Sequence, residues 1–235
     1  ANIIYSGPAT GSPWGAKSVN GYAEGDFIYT DNTKTEIKKY VGTSTTVTIP
    51  NIVTSISQQA FYGNTTITSV TMSDSVTSIG QDAFQNCSNL ESITLSNNIT
   101  TINDSTFNQS GLTSIVIPDG VTSIGSSAFY ECNVLSSVTM RNGVTSIGGS
   151  AFEGCDLLQN VTIPASVTSI GSKAFYNISG TLGGASVTCK ATTPPTLGST
   201  VFIPSYYSTC PTIYVPSSVV NTYKSASGWS DFSGK

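Results

Sequence analysis

A chain of 235 residues in which only 9% are Asp, Glu, Lys or Arg, with a net charge of -4, offers no basic footprint for nucleic acid. It contains no histidine, which removes the commonest metal ligand and the usual activator of a serine or threonine nucleophile. No run approaches the roughly 20 apolar residues of a membrane span, and no charged segment with an apolar core opens the chain, so membrane attachment is expected only through a removed or absent anchor.

Residues 1–25 are rich in Gly, Pro, Ser and Asn without helical or strand period, and read as a loosely ordered leader. From Phe27 two alternating segments flank Asp31, Asn32 and Thr33, which is hairpin chemistry. Residues 1–43 are therefore assigned as leader and capping hairpin. A stacked array needs such a lid, because its terminal unit has one face with no neighbour to cover it.

Residues 44–183 repeat one unit, most legible at 112–134 as LTSIVIPDGVTSIGSSAFYECNV. Phe61, Phe84, Phe107, Phe129, Phe152 and Phe175 recur at spacings of 23, 23, 22, 23 and 23. Each unit opens on a strand whose alternate residues point into the core, as in Val70/Met72 and Ile115/Ile117. A second apolar pair follows, such as Val121 and Ile124, then a glycine (Gly80, Gly125, Gly148, Gly171) expected at a corner needing positive φ or close backbone approach. Asn103 takes that place in the third unit. The alanine ahead of five of the ruler phenylalanines (Ala60, Ala83, Ala128, Ala151, Ala174) suits a short helical or 3-10 turn.

After Phe175 the period fails, and residues 184–235 read as an irregular last repeat and C-terminal cap. Strands are expected at 187–189 and 212–216, then a short helix and an aromatic plug of Val219, Tyr223 and Trp229. The three stretches form one continuous domain. With about 4.8 Å per strand, eight stacked strands span roughly 34 Å.

Five cysteines do not make a disulfide framework. Cys87, Cys132 and Cys155 each follow a ruler phenylalanine by three residues, where small buried thiols pack at the bend. The alternative is a bridge between Cys132 and Cys155 in adjacent units, about 4.8 Å apart. Cys189 and Cys210 stay open.

The unit Leu-x-x-Ile-x-Ile-Pro-x-x-Val-Thr-Ser-Ile-Gly-x-x-Ala-Phe-x-x-Cys resembles the BspA-type leucine-rich repeat, found mainly on surface proteins of anaerobic and host-associated bacteria and of some protozoan parasites. The ending, TCKATTPPTL followed by IYVPSSVVNTYKSASGW, is similar to that of such proteins in gut Bacteroides-like bacteria. The resemblance implies a leucine-rich repeat solenoid: a parallel β-sheet on one face, short helical or 3-10 turns and loops on the other, and a β-hairpin cap. It further implies an extracellular or cell-surface location, adhesion or protein recognition, no cofactor and no catalytic residues.

In such a solenoid the outward strand positions line the concave face, an extended surface of the kind used for binding. Ser92, Thr94, Val116, Ser137, Thr139 and Thr162 fall in its two columns, with Arg141 just beyond. Thr also stabilises sheets without any ligand, so a scaffold reading stands beside the binding one. Tyr130 belongs to a broken column with Tyr62 and Tyr176, and Tyr206 lies in a Pro-rich excursion; tyrosine is common at interface hot spots and equally common as edge packing. The expected partner is a host or bacterial surface protein, or a glycan. The structural alternative is a stalk or surface-layer component that associates with copies of itself. A threonine row also matches an ice-binding surface, but Val116 breaks it. A glycan-active site needs paired carboxylates, and no two of the thirteen acidic residues group.

Overall fold

In Ser-Val-Thr or Ser-Ile-Val the middle residue is buried and its neighbours look out, so a strand of three residues suffices to give the coil an inside and an outside. The computed structural model describes residues 21–178, 184–202 and 210–232. It begins with β1 (Tyr22–Glu24), β2 (Phe27–Tyr29) and β3 (Glu36–Tyr40). Each later turn gives a front strand and a two-residue side strand: β4 (Thr46–Thr48) and β5 (Ser55–Ile56), β6 (Ser69–Thr71) and β7 (Ser78–Ile79), β8 (Ser92–Thr94) and β9 (Thr101–Ile102), β10 (Ser114–Val116) and β11 (Ser123–Ile124). The series goes on with β12 (Ser137–Thr139) and β13 (Ser146–Ile147), β14 (Asn160–Ile163) and β15 (Ser169–Ile170), β16 (Ser186–Cys189) and β17 (Thr196–Leu197). Last come β18 (Thr212–Tyr214) and α1 (Val220–Ser225).

Among the described residues eight front strands stack, the number expected from the sequence. Their parallel ladders run β4-β6-β8, β10-β12 and β14-β16-β18, and the side wall runs β3-β5-β7 and β9-β11-β13-β15-β17. Like residues face like, as where Ser69 stands opposite Ser92 and Ser114 opposite Ser137.

The lid is a hairpin, as expected: β2 pairs antiparallel with β3, which then pairs parallel with β5 and so hands the chain to the coil. The leader assignment needs correcting at its end. Tyr22–Glu24 is a strand, paired antiparallel with β2 across a turn at Gly25 and held by an ion pair between Glu24 and Lys34. A three-residue edge strand carries too little alternation to be read from sequence. The rest of the leader, residues 1–20, lies outside the described residues.

The third wall consists of successive tight turns instead of helix. Around each ruler phenylalanine the N–H groups alternate: Tyr130 and Cys132 bond back within the turn to Ser127 and Phe129, while Ser127, Phe129 and Glu131 bond to the carbonyls of Gly149, Ala151 and Glu153 in the next turn. This alternation requires a left-handed residue two places before and two places after the phenylalanine. Ser127 (φ 54) and Glu131 (φ 51) fill those places here, Asp82 (φ 56) and Asn86 (φ 60) in the second turn. Positive φ therefore does not fall on Gly80, Gly125, Gly148 or Gly171. Their role is the other expected one, close approach: a Cβ on Gly148 would lie 2.5 Å from the Gly125 carbonyl carbon and the Ser126 nitrogen.

Inside the walls the ruler phenylalanines form a column with ring centroids 4.7 to 5.7 Å apart, extended by Tyr40 at one end and Phe202 at the other. Phe27 closes the first end and Trp229 the second, both with tilted rings. The cap is pinned by polar bonds from its aromatic residues. The Trp229 indole donates to the Pro195 carbonyl at 2.7 Å and the Tyr223 hydroxyl to that of Ala191 at 2.9 Å.

All five cysteines are free. Cys87, Cys132 and Cys155 reach back one turn to donate to the carbonyls of Phe61, Phe107 and Phe129, at 3.1, 3.0 and 3.2 Å. Burial pushes the Cys87 thiol up to about 12 and Cys132 to about 11, and raises Cys155 as well. The β16–β18 register, carried on from Ser186 opposite Thr212, puts Cys210 beside Gly184, about 16 Å along the strand from Cys189 and too far to bridge. Alkylation of the native protein at pH 8 is expected to spare Cys87, Cys132 and Cys155, and denaturant to expose them, as read by mass spectrometry. A Cys132–Cys155 bridge, or equal labelling with and without denaturant, contradicts this.

Candidate functional site

Because every front strand presents the same two outward positions, the coil stacks side chains into columns of hydroxyls with few interruptions. Ser92 and Thr94 on β8, Val116 on β10, Ser137 and Thr139 on β12 and Thr162 on β14 are all exposed on this one face. Arg141 is exposed in the loop leaving β12. Pro118 and Pro164, which follow β10 and β14, are buried.

The face is not uniform. β8 and β10 lie side by side without a ladder between them. The N–H after the strand bonds the neighbouring turn where the ladder holds, Met72 to the Thr94 carbonyl at 3.0 Å and Ile117 to that of Thr139 at 2.9 Å, while β12 and β14, like β8 and β10, share no ladder. Among the described residues no such bond joins Leu95 to Val116. Ile93, whose counterparts Val70 and Ile115 are buried, is half-exposed at this gap. The gap is a cleft of about 340 Å³ between Ser92 and Thr94 on one wall and Ser114 and Val116 on the other.

Asp119 and Arg141 close one end of the cleft, with Arg141 Nε 3.7 Å from Asp119 Oδ1. Both are well exposed, and an ion pair in that setting contributes little to stability, so its charges remain open to a ligand. Val116, 52% exposed, adds an apolar lip. The arrangement presents hydroxyl, apolar and charged groups within one opening. It offers no nucleophile paired with a base. Among the described residues no group of three or more Cys, Asp or Glu is placed to hold a metal ion, and no helix is long and apolar enough to cross a membrane.

Four of the expected residues, Ser92, Thr94, Val116 and Arg141, thus meet at the cleft, and Ser137, Thr139 and Thr162 continue the same face beyond it. Tyr130 does not join them. It follows Phe129 on the turn wall, where hydrogen bonding to Glu131, then burial, raises its phenol. Tyr206 lies outside the described residues. Ile93 and Asp119 escape the sequence reading, since one is an ordinary inward position and the other an ordinary turn residue. The available signal is the single 22-residue spacing, between Phe107 and Phe129, which falls at the β8–β10 opening; the opening between β12 and β14 carries no such mark.

A family model described as BspA type Leucine rich repeat region matches the chain in 6 copies over residues 34–134 and 100–226. Among solved structures, the chain is similar to a leucine-rich repeat protein of T. pallidum at 26% identity, with a TM-score of 0.66 over 80% of this chain and 85% of that one. It is similar to a leucine rich cell surface protein from Faecalibacterium prausnitzii at 28% identity and a TM-score of 0.56, covering 80% of this chain and 57% of that one. A leucine-rich repeat protein from Eubacterium ventriosum matches at 25% identity and a TM-score of 0.57, over 68% of this chain and 50% of the other. No curated protein matches.

Proposed function

This chain belongs to the BspA-type leucine-rich repeat family, and from that premise we propose that it is a non-enzymatic recognition module, displayed outside the cell, whose front sheet face binds a macromolecular partner, a protein before a glycan. The observation that carries this is the cleft between β8 and β10, where the otherwise repetitive face gathers Ser92, Thr94, Val116 and the Asp119–Arg141 pair. A spacer has no use for such a departure. The mixture suits a protein, since a protein supplies an apolar side chain and a charge together, and interface energy concentrates where a pocket receives such an anchor. The cell-surface description of the Faecalibacterium relative supports the location.

The test is binding of the purified domain to an array of extracellular-matrix proteins and glycans, beside a variant carrying Ser92→Glu, Thr94→Glu, Thr139→Glu and Arg141→Glu. Specific binding to a protein that is lost in the variant is the expected result. Undiminished binding moves the site to another wall, Tyr130 and its neighbours first. Absence of any ligand, together with self-association in solution, overturns recognition in favour of a stalk.

A further inference from the structure

We propose that the groove between β18 and α1, at the C-terminal end of the coil, takes an acidic peptide in extended form, added to the sheet as one more front strand. β18 pairs with β16 alone. The Thr212 amide bonds the Ala185 carbonyl at 2.9 Å, and alternate residues of a strand bond to opposite sides, so the main chain of Ile213 and Val215 faces away from β16. Among the described residues nothing bonds those groups. Ile213 is also an inward position left half-exposed, whereas Val187 and Val161, its counterparts one and two turns back, are buried. Across from this edge lie the buried rings of Tyr223 and Trp229, edge to face at 4.8 Å, already tied to the Ala191 and Pro195 carbonyls. The groove measures about 240 Å³ and its floor is fixed before any ligand arrives. Strand addition needs this pairing of free main-chain groups with a pocket for an alternate side chain.

Charge selects the occupant. Lys224 lines the groove and is exposed, and Lys190 is exposed just after β16; among the described residues neither forms an ion pair. All but Asp231 of the thirteen acidic residues lie at or before Asp156, so this end of an otherwise acidic chain is basic. A carboxylate on the incoming strand meets Lys224 at the rim while an apolar neighbour enters the groove. A second copy of the chain suits the site less well, because it brings the same lysine with it. The strand is also only three residues long, between Pro211 and Pro216. A short edge bounded by prolines is a poor template for pairing between whole chains, yet the Ile213 and Val215 amides are enough to hold a short segment.

Short random peptides displayed on phage and selected on the intact chain, beside a Lys224→Glu variant, test this. Enriched sequences are expected to carry Asp or Glu next to an apolar residue and to lose binding to the variant. With a selected peptide synthesised and added to saturation, native-state hydrogen exchange at the Ile213 and Val215 amides is expected to slow at least about ten-fold, while the Ile117 amide on the front sheet keeps its rate. Binding without slowing at Ile213 and Val215 overturns strand addition. Enrichment of basic or neutral sequences, no enrichment, or equal binding to the variant overturns the acidic occupant; if the variant does not fold, exchange in the wild-type chain still decides. A dimer in solution whose Ile213 and Val215 amides are protected without peptide overturns the proposal in favour of a second copy. No readout involves the β8–β10 cleft, so failure here leaves the reading of the front face untouched.

Discussion

Replacing Phe129 with alanine is expected to lower the unfolding free energy by about 3 to 5 kcal/mol, the range for truncating a fully buried aromatic side chain. The ring is buried between Phe107 at 5.3 Å and Phe152 at 5.0 Å, so the substitution leaves a void with rings on both sides. Neighbouring turns cannot collapse into that void, because the Phe129 and Phe152 amides are tied to the next turns' carbonyls at 2.8 Å. Urea melts of the two proteins measure it. A loss below about 1 kcal/mol, which is too small for a buried aromatic, places the column outside the stabilising core.

A chain ended at residue 183 is expected to lose its monomeric state altogether. The cut removes β16, β17, β18 and α1, and with them Phe202, Tyr223 and Trp229. β14 and β15 then become open edges, with Val161, Ile163, Ile170 and Phe175 losing the turn that covers them. An apolar surface bordered by unpaired strand edges templates association between chains. Size-exclusion chromatography with light scattering reads the outcome. A truncated chain that stays monomeric and melts with the full-length protein shows that the cap covers nothing essential.

The stacking axis, the front strands and the aromatic ruler are legible in the residues because each rests on a repeated apolar position. One buried phenylalanine per turn leaves little choice of period. The left-handed positions are not legible in that way. Ser127, Lys173 and Glu131 adopt positive φ because their N–H groups must reach the next turn's carbonyls, a demand set by the neighbouring coil and invisible in local preference. Tyr40 extends the column without sharing the motif around it, whereas Phe202 keeps the corner glycine and the left-handed place, in Gly198 and Thr200 (φ 55), after a longer gap. The candidate site divides along the same line. Ser92, Thr94 and Val116 follow from strand alternation, whereas the cleft depends on rungs that are absent between β8 and β10, and a missing bond leaves no residue type behind it.

The aromatic column has one further consequence. Each interior ring meets one ring above and one below, at nearly the same spacing, and the backbone rungs repeat in step. A turn copied or deleted between two such rings confronts its new neighbours with the surface they already had. Length in this architecture is therefore open to change by unequal exchange of whole units, while an exchange that drops a single residue leaves a scar. The 22-residue spacing between Phe107 and Phe129 breaks that equivalence, and gives the molecule a position along its axis that the 23-residue turns do not have.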